Sequence, residues 1–170
     1  MKKLAGALVP LALLLSSCGK DEQKPAPPAK ESTPGGARPE KTASGEPAVI
    51  TVEHILIGVK GGRATSAKRE KDEAARFAFE LLRRARDGED FIKLRDEFTE
   101  DPGKGPYTMT NRGIPAERAF PGQPPREYDR ETMAKAFGDV GFSLEVGQIG
   151  VTDYEPATSP FGYHIIKRVK

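Results

Sequence analysis

The chain has 170 residues, with 27 Lys and Arg against 25 Asp and Glu, one cysteine, two histidines and no tryptophan, a length that suits one domain with residues to spare for a tail. So balanced a charge leaves no nucleic-acid footprint, and no nucleic-acid partner is expected. One cysteine excludes an internal disulfide and a thiolate-rich zinc site, and two histidines leave His-rich metal chemistry short of ligands, so neither a metal nor a cofactor is expected.

Lys2 and Lys3 precede an apolar run from Leu4 to Leu15, followed by Ser16, Ser17 and Cys18. A dozen apolar residues in a helix would cover about 18 Å, well short of a ~30 Å hydrocarbon core. A charged start, a short apolar middle and a small-residue end make a secretory signal, expected over residues 1–17. The ending Leu15-Ser16-Ser17-Cys18 resembles the bacterial lipobox. That resemblance implies lipidation at Cys18, cleavage before it, and anchoring of the mature chain to a membrane of the bacterial cell envelope. The periplasmic face is expected, and Gly19 after the cysteine points toward the outer membrane. An ordinary signal peptide with an incidental cysteine is the rival reading. Two or three acyl chains exceed the single-chain threshold for stable anchoring.

Residues 18–48 hold Pro, Gly, Lys, Glu and Ser with almost no branched or aromatic side chains. Such a segment buries too little apolar surface to offset its ordering entropy. It is expected to be a disordered tether with an r.m.s. reach on the order of 30 Å, from ~5–6 Å × √n. Its Pro25-Ala26-Pro27-Pro28 meets the minimal PxxP pattern, but that pattern is common in spacers.

The folded domain is expected over residues 49–170. Val49 to Lys60 alternates and is β-branched, placing Ile50, Val52, His54 and Leu56 on one strand face. From Lys71 to Arg86 the apolar positions Ala74, Ala78, Leu81, Leu82 and Ala85 follow helical spacing. Acids in its first turn, arginines in its last and Gly88 beyond complement the helix dipole. A second helix is predicted from Asp90 to Phe98, burying Phe91, Leu94 and Phe98, and a third around Glu131 to Val140. Between them lies the Pro- and Gly-rich stretch Gly105 to Arg130, with one short strand. Strands over Ile149 to Tyr154 and Phe161 to Val169 close the chain.

Several of these segments are similar to the parvulin-type peptidyl-prolyl isomerases. Val52-Glu53-His54-Ile55-Leu56-Ile57 resembles the opening strand of that family, and Ala74 to Leu82 with Gly88 to Leu94 its first two helices. Phe98-Thr99-Glu100-Asp101-Pro102, then Phe142 to Ile149, and above all Phe161-Gly162-Tyr163-His164-Ile165-Ile166 follow in the family's order. The resemblance implies an α+β fold: a small antiparallel sheet of about four strands flanked by about three helices, with an insertion before the third helix. It implies a peptidyl-prolyl cis-trans isomerase with catalytic residues His54, Asp101 and His164. Met133, Phe137 and Phe142 would bind the substrate proline. The chain departs from the family after the Asp, reading Gly105-Pro106-Tyr107-Thr108-Met109-Thr110, so the residue completing the pocket is open; Met109 or Ile114 could serve.

Rotating an X–Pro bond needs no cofactor, because cis and trans differ by only ~0.5–1 kcal/mol. It needs a dry apolar pocket and fixed polar groups beside the twisting amide, which lower a barrier of ~18–20 kcal/mol. The expected partners are Pro-containing segments of exported or unfolded proteins, and a monomer is expected. The alternative is a chaperone-like module that binds such segments with little or no turnover. A hydrolase triad of Ser159, His164 and Asp101 has the residue types but no nucleophile-elbow motif around the serine. Lys60, Arg63, Lys68 and Arg69 are read as a solvated loop rather than a reader of acidic residues.

Overall fold

The structure, a computed structural model, describes residues 38–117, 122–123 and 126–170. The expected signal segment, Cys18 and most of the expected tether lie outside the described residues.

Strand β1 (Val49–Gly58) is the centre of the fold. Its β-branched alternation offers two apolar faces, and both are covered. Ile55 and Ile57 point to one side, where helix α1 (Lys71–Arg86) brings Ala74, Ala78, Leu81 and Leu82, and helix α2 (Phe91–Phe98) brings Phe91 and Leu94. Ile50 and Val52 point to the other, against Phe137 and Phe142 of helix α3 (Lys135–Ser143). The helix ends follow their local chemistry. The Asp90 carboxylate accepts from the backbone N–H groups of Ile92 and Lys93 at 2.9 and 3.0 Å, closing the start of α2. Gly88, at φ +100°, turns the chain out of α1 through the left-handed region.

The sheet, among the described residues, has five strands in the order β3-β2-β1-β5-β4. Strand β2 (Tyr107–Thr110) and strand β5 (Gly162–Arg168) flank β1 antiparallel, with Ile50 opposite Met109 and Leu56 opposite His164. Strand β4 (Ile149–Val151) pairs with β5, also antiparallel. The antiparallel expectation is corrected at one edge. Strand β3 (Tyr128–Asp129) runs parallel to β2, because the chain re-enters the sheet at the end where β2 begins rather than the end where it finishes. The stretch expected to hold one strand therefore holds two. Gly162 has a steric reason within the Phe161–Ile166 motif. It sits at φ +153°, and a Cβ there would lie 2.1 Å from the Ile57 carbonyl oxygen, so β5 can start close against β1 only as glycine.

The third helix begins later than its apolar spacing predicts. Arg130–Thr132 form a single 3-10 turn, and Met133 and Ala134 are then extended. The Ala136 N–H donates to the Thr158 carbonyl at 3.0 Å, anchoring the start of α3 to a loop rather than to an earlier helical turn. Upstream of β1, residues 40–48 make a tight turn in which the Ala48 N–H donates to the Glu40 carbonyl at 2.9 Å. Ala48 itself is buried.

Candidate active site

The register of β1 and β5 brings the two histidines together. His54 faces Ile166 and Leu56 faces His164, so the imidazoles are diagonal neighbours on the α3 side of the sheet, with ring centroids 5.4 Å apart. Phe137 reaches down from α3 and sets its ring edge-on to both, at 5.1 and 5.2 Å. Apolar spacing on β1 and on α3 thus converges on one point.

Asp101 is delivered by the loop after α2, which is sewn to the part of β1 that β2 leaves unpaired. The Leu56 N–H donates to Thr99 Oγ1 at 3.1 Å, the Glu100 N–H to the Leu56 carbonyl at 2.9 Å, and the Gly58 N–H to Glu100 Oε2 at 2.8 Å. One residue further on, Asp101 Oδ2 lies 3.0 Å from His54 Nε2 and accepts from the Tyr107 hydroxyl, also at 3.0 Å. Asp101 Oδ1 accepts from the Gly103 N–H at 2.9 Å. All three partners of the Asp101 carboxylate are therefore fixed by β1, β2 and one tight turn.

These bonds set the charges. The hydrogen bond from His54, then those from Gly103 and Tyr107, hold the Asp101 carboxyl far below the usual carboxylate range against the opposing effect of burial. Burial, with the Asp101 charge added, pushes the Tyr107 hydroxyl well above its ordinary value, so it stays a donor. Burial also pushes the His164 imidazole down to about 3, helped by the nearby His54. His164 is consequently neutral near pH 7. Neither of its ring nitrogens, nor His54 Nδ1, has a hydrogen-bond partner among the described residues.

A cavity of about 260 Å³ opens above this cluster. That is the small end of ligand pockets, which run ~300–1,000 Å³, and it suits one small ring rather than a long side chain. Its apolar wall is Met133, Ala134, Phe137, Leu56 and Phe161; its polar end is His54, Asp101, His164, Tyr107 and Thr132. Five of the six residues expected at the site are brought together here: His54, Asp101, His164, Met133 and Phe137. Phe142 is not on the cavity wall. It is buried one turn behind Phe137, under the Arg130 guanidinium, which lies 4.6 Å from its ring centroid.

Sequence reasoning missed Tyr107. Neither Met109 nor Ile114 completes the pocket: Met109 is fully buried in the core behind it, and Ile114 is not on the wall. Tyr107 occupies that side and adds a hydroxyl to it. The available signal was its place as the first aromatic residue after the point where the resemblance breaks. The rival triad has no support in this geometry, since Ser159 is fully buried away from the cavity and its hydroxyl donates to the Gly162 carbonyl at 2.8 Å. Two cations of the β1–α1 loop are engaged locally, Lys60 with Glu70 at 2.5 Å and Arg69 with Glu100.

Comparison with known proteins places the chain in a family. The family model for the PPIC-type PPIase domain matches residues 39–170, and the chain belongs to that family. The chain is 37% identical over 118 residues to the foldase protein PrsA 4 of Bacillus cereus, covering 69% of this chain and 30% of that one. It is 31% identical over 116 residues to the chaperone SurA of Chromohalobacter salexigens, covering 68% of this chain and 21% of that one. It thus spans less than a third of the length of these curated relatives. Among solved structures, Pin from the psychrophilic archaeon Cenarcheaum symbiosum aligns at 27% identity over 81% of this chain and 100% of its own, with a TM-score of 0.41.

Proposed function

We propose that this protein is a lipid-anchored peptidyl-prolyl cis-trans isomerase that assists the folding of exported proteins. The observation that carries the reading is the small cavity in which Phe137 and Met133 face the hydrogen-bonded group His54–Asp101–Tyr107. Family membership and relatives named foldase and chaperone support it.

The chemistry follows from the arrangement. Amide resonance separates charge between oxygen and nitrogen, and twisting the C–N bond abolishes that separation. A dry apolar wall therefore favours the twisted amide over the planar one, relative to water. Met133, Phe137 and Leu56 would grip the prolyl ring and exclude solvent while the chain before it rotates. His54, Asp101 and Tyr107 form a bonded unit whose donors and charge are already oriented, so no reorganisation is needed as the amide twists. His164, neutral and buried, supports the floor beneath the ring. No proton transfer or covalent intermediate is required.

The segment before the domain supplies the location. Its lipobox-like end at Cys18 would leave a diacylglyceryl thioether on the mature chain, holding the domain at the envelope on the periplasmic side, with the outer membrane favoured by Gly19. The protein would act as a monomer on Pro-containing segments as they emerge. The relatives named as chaperones favour one second reading, a module that binds such segments with little turnover. A protease-free isomerisation assay over X–Pro peptides differing in the residue before proline tests the proposal. A rate above background on at least one peptide is expected, and background rates throughout would overturn it in favour of the binding module.

A further inference from the structure

Arg130 is buried, 8% exposed, and carries a full positive charge outside the cavity. Its guanidinium gathers three parts of the chain that are remote in sequence. Nη1 donates to Asn111 Oδ1, just after β2, at 2.9 Å, and to Glu46 Oε1, upstream of β1, at 3.3 Å. Nη2 donates to Asp139 Oδ1, on α3, at 2.9 Å. The flat group also stacks on Phe142 of α3. Its stem lies so close to α3 that a Cβ at Gly138 would come within 2.9 Å of Arg130 Cγ. Asn111 in turn donates from Nδ2 to the Pro47 carbonyl at 3.0 Å and to Glu46 Oε2 at 3.4 Å.

The position of this hub relative to the cavity gives it a function. The 3-10 turn that Arg130 begins leads directly into Thr132, Met133 and Ala134, which line the cavity, and its side chain holds α3 at Asp139 and Phe142, immediately C-terminal to Phe137. Both apolar walls over the histidines therefore hang from one cation. We propose that Arg130 is a positioning residue for the substrate pocket, and that Glu46 couples the segment entering the domain to that pocket through it. This inference rests on the isomerase reading of the cavity.

Loss of the hub would let Met133 and Phe137 sample arrangements that do not grip proline. Apparent affinity then falls by the fraction of molecules in the competent arrangement, while turnover of bound substrate is spared. Lysine keeps the charge but cannot serve Asn111, Glu46 and Asp139 at once, since it lacks the planar fork.

The test compares the full chain, in detergent micelles, with its Arg130→Gln, Arg130→Lys and Glu46→Gln variants. Binding of an Ala-Ala-Pro-Phe peptide is followed through the Met133 methyl NMR signal, and isomerisation of the same peptide gives kcat and KM. In Arg130→Gln, Kd and KM should rise about tenfold with kcat within twofold; Arg130→Lys and Glu46→Gln should each show about a threefold rise. A folded Arg130→Gln variant with Kd and KM within twofold of the parent overturns the proposal, as does a fall in kcat at constant KM. If Arg130→Gln does not fold, the partly exposed Glu46 decides, and an unchanged Kd in Glu46→Gln overturns the coupling. Should the parent chain bind the peptide without isomerising it, the proposed enzyme activity fails, while the Kd comparison still judges Arg130.

Discussion

Burying His164 as a neutral ring makes the stability of the domain depend on pH between 7 and 5, above the range in which ordinary carboxylates titrate. The imidazole has its ordinary value of 6.5 in the unfolded chain and about 3 in the folded one. Between these values the unfolded state binds a proton that the folded state refuses, so stability falls as pH is lowered from 6.5 and stops falling below about 3. The slope approaches ~1.4 kcal/mol per pH unit, and integration from pH 7 to pH 5 gives a loss of about 2 kcal/mol from this ring alone. Asp101 acts in the same direction but only below its ordinary value of 3.8, since its carboxyl is held lower in the folded state. It therefore contributes little between pH 7 and pH 5. Urea unfolding at pH 7, 6 and 5 measures the effect, with His164→Gln as the reference that lacks the titration. Across that range the parent should lose about 2 kcal/mol more than the variant, whatever the variant's stability at pH 7. Equal losses in the two proteins would refute the assignment of a neutral buried His164.

Phe137→Ala should destabilise the domain by ~3–5 kcal/mol, because the ring is 2% exposed and packed on both histidines; urea midpoints check this, and Phe137→Leu should recover most of the loss. Gly162→Ala should prevent folding or cost several kcal/mol, on the order expected for a severe backbone clash, and circular dichroism of the purified variant reads the outcome. Cys18→Ser should move the protein out of the membrane fraction, and mass spectrometry of the parent should find Cys18 diacylated; an unmodified thiol on the mature parent would contradict the anchor.

What could be read from the sequence was what repeats with a period. The alternation of Val49 to Lys60 fixes which face of β1 carries His54, and the spacing of Ala74, Ala78, Leu81 and Ala85 locates α1 to the residue. The histidines could be paired because the resemblance set both on strands. Side chains that act through single long-range bonds left no such trace. Arg130 looked like any surface arginine in a charged stretch, and Glu46 like part of a polar tether, yet the two meet in a buried cluster. Phe142 illustrates the opposite error. At five residues from Phe137 it lies nearly half a helical turn around from the cavity, and the helical period alone turns it toward the core. The start of α3 was misjudged because Met133 has good helical character, whereas the loop bond from Ala136 to Thr158 leaves it extended at the cavity rim.

The central claim is that a preorganised polar group, not the apolar pocket alone, accelerates rotation about the X–Pro bond. Asp101→Asn addresses it most directly, since the amide keeps the size of the carboxylate but removes the charge that binds His54 and Tyr107. A charge-assisted hydrogen bond is worth ~1.5–3 kcal/mol, which corresponds to about tenfold to a hundredfold in rate. NMR exchange spectroscopy on one Ala-Pro peptide yields the cis–trans exchange rate and the affinity in the same sample. Exchange catalysed by the parent protein is expected, with a kcat at least tenfold lower in Asp101→Asn and Kd within about threefold. Equal exchange rates in the two proteins, or none above background in the parent, would contradict the claim.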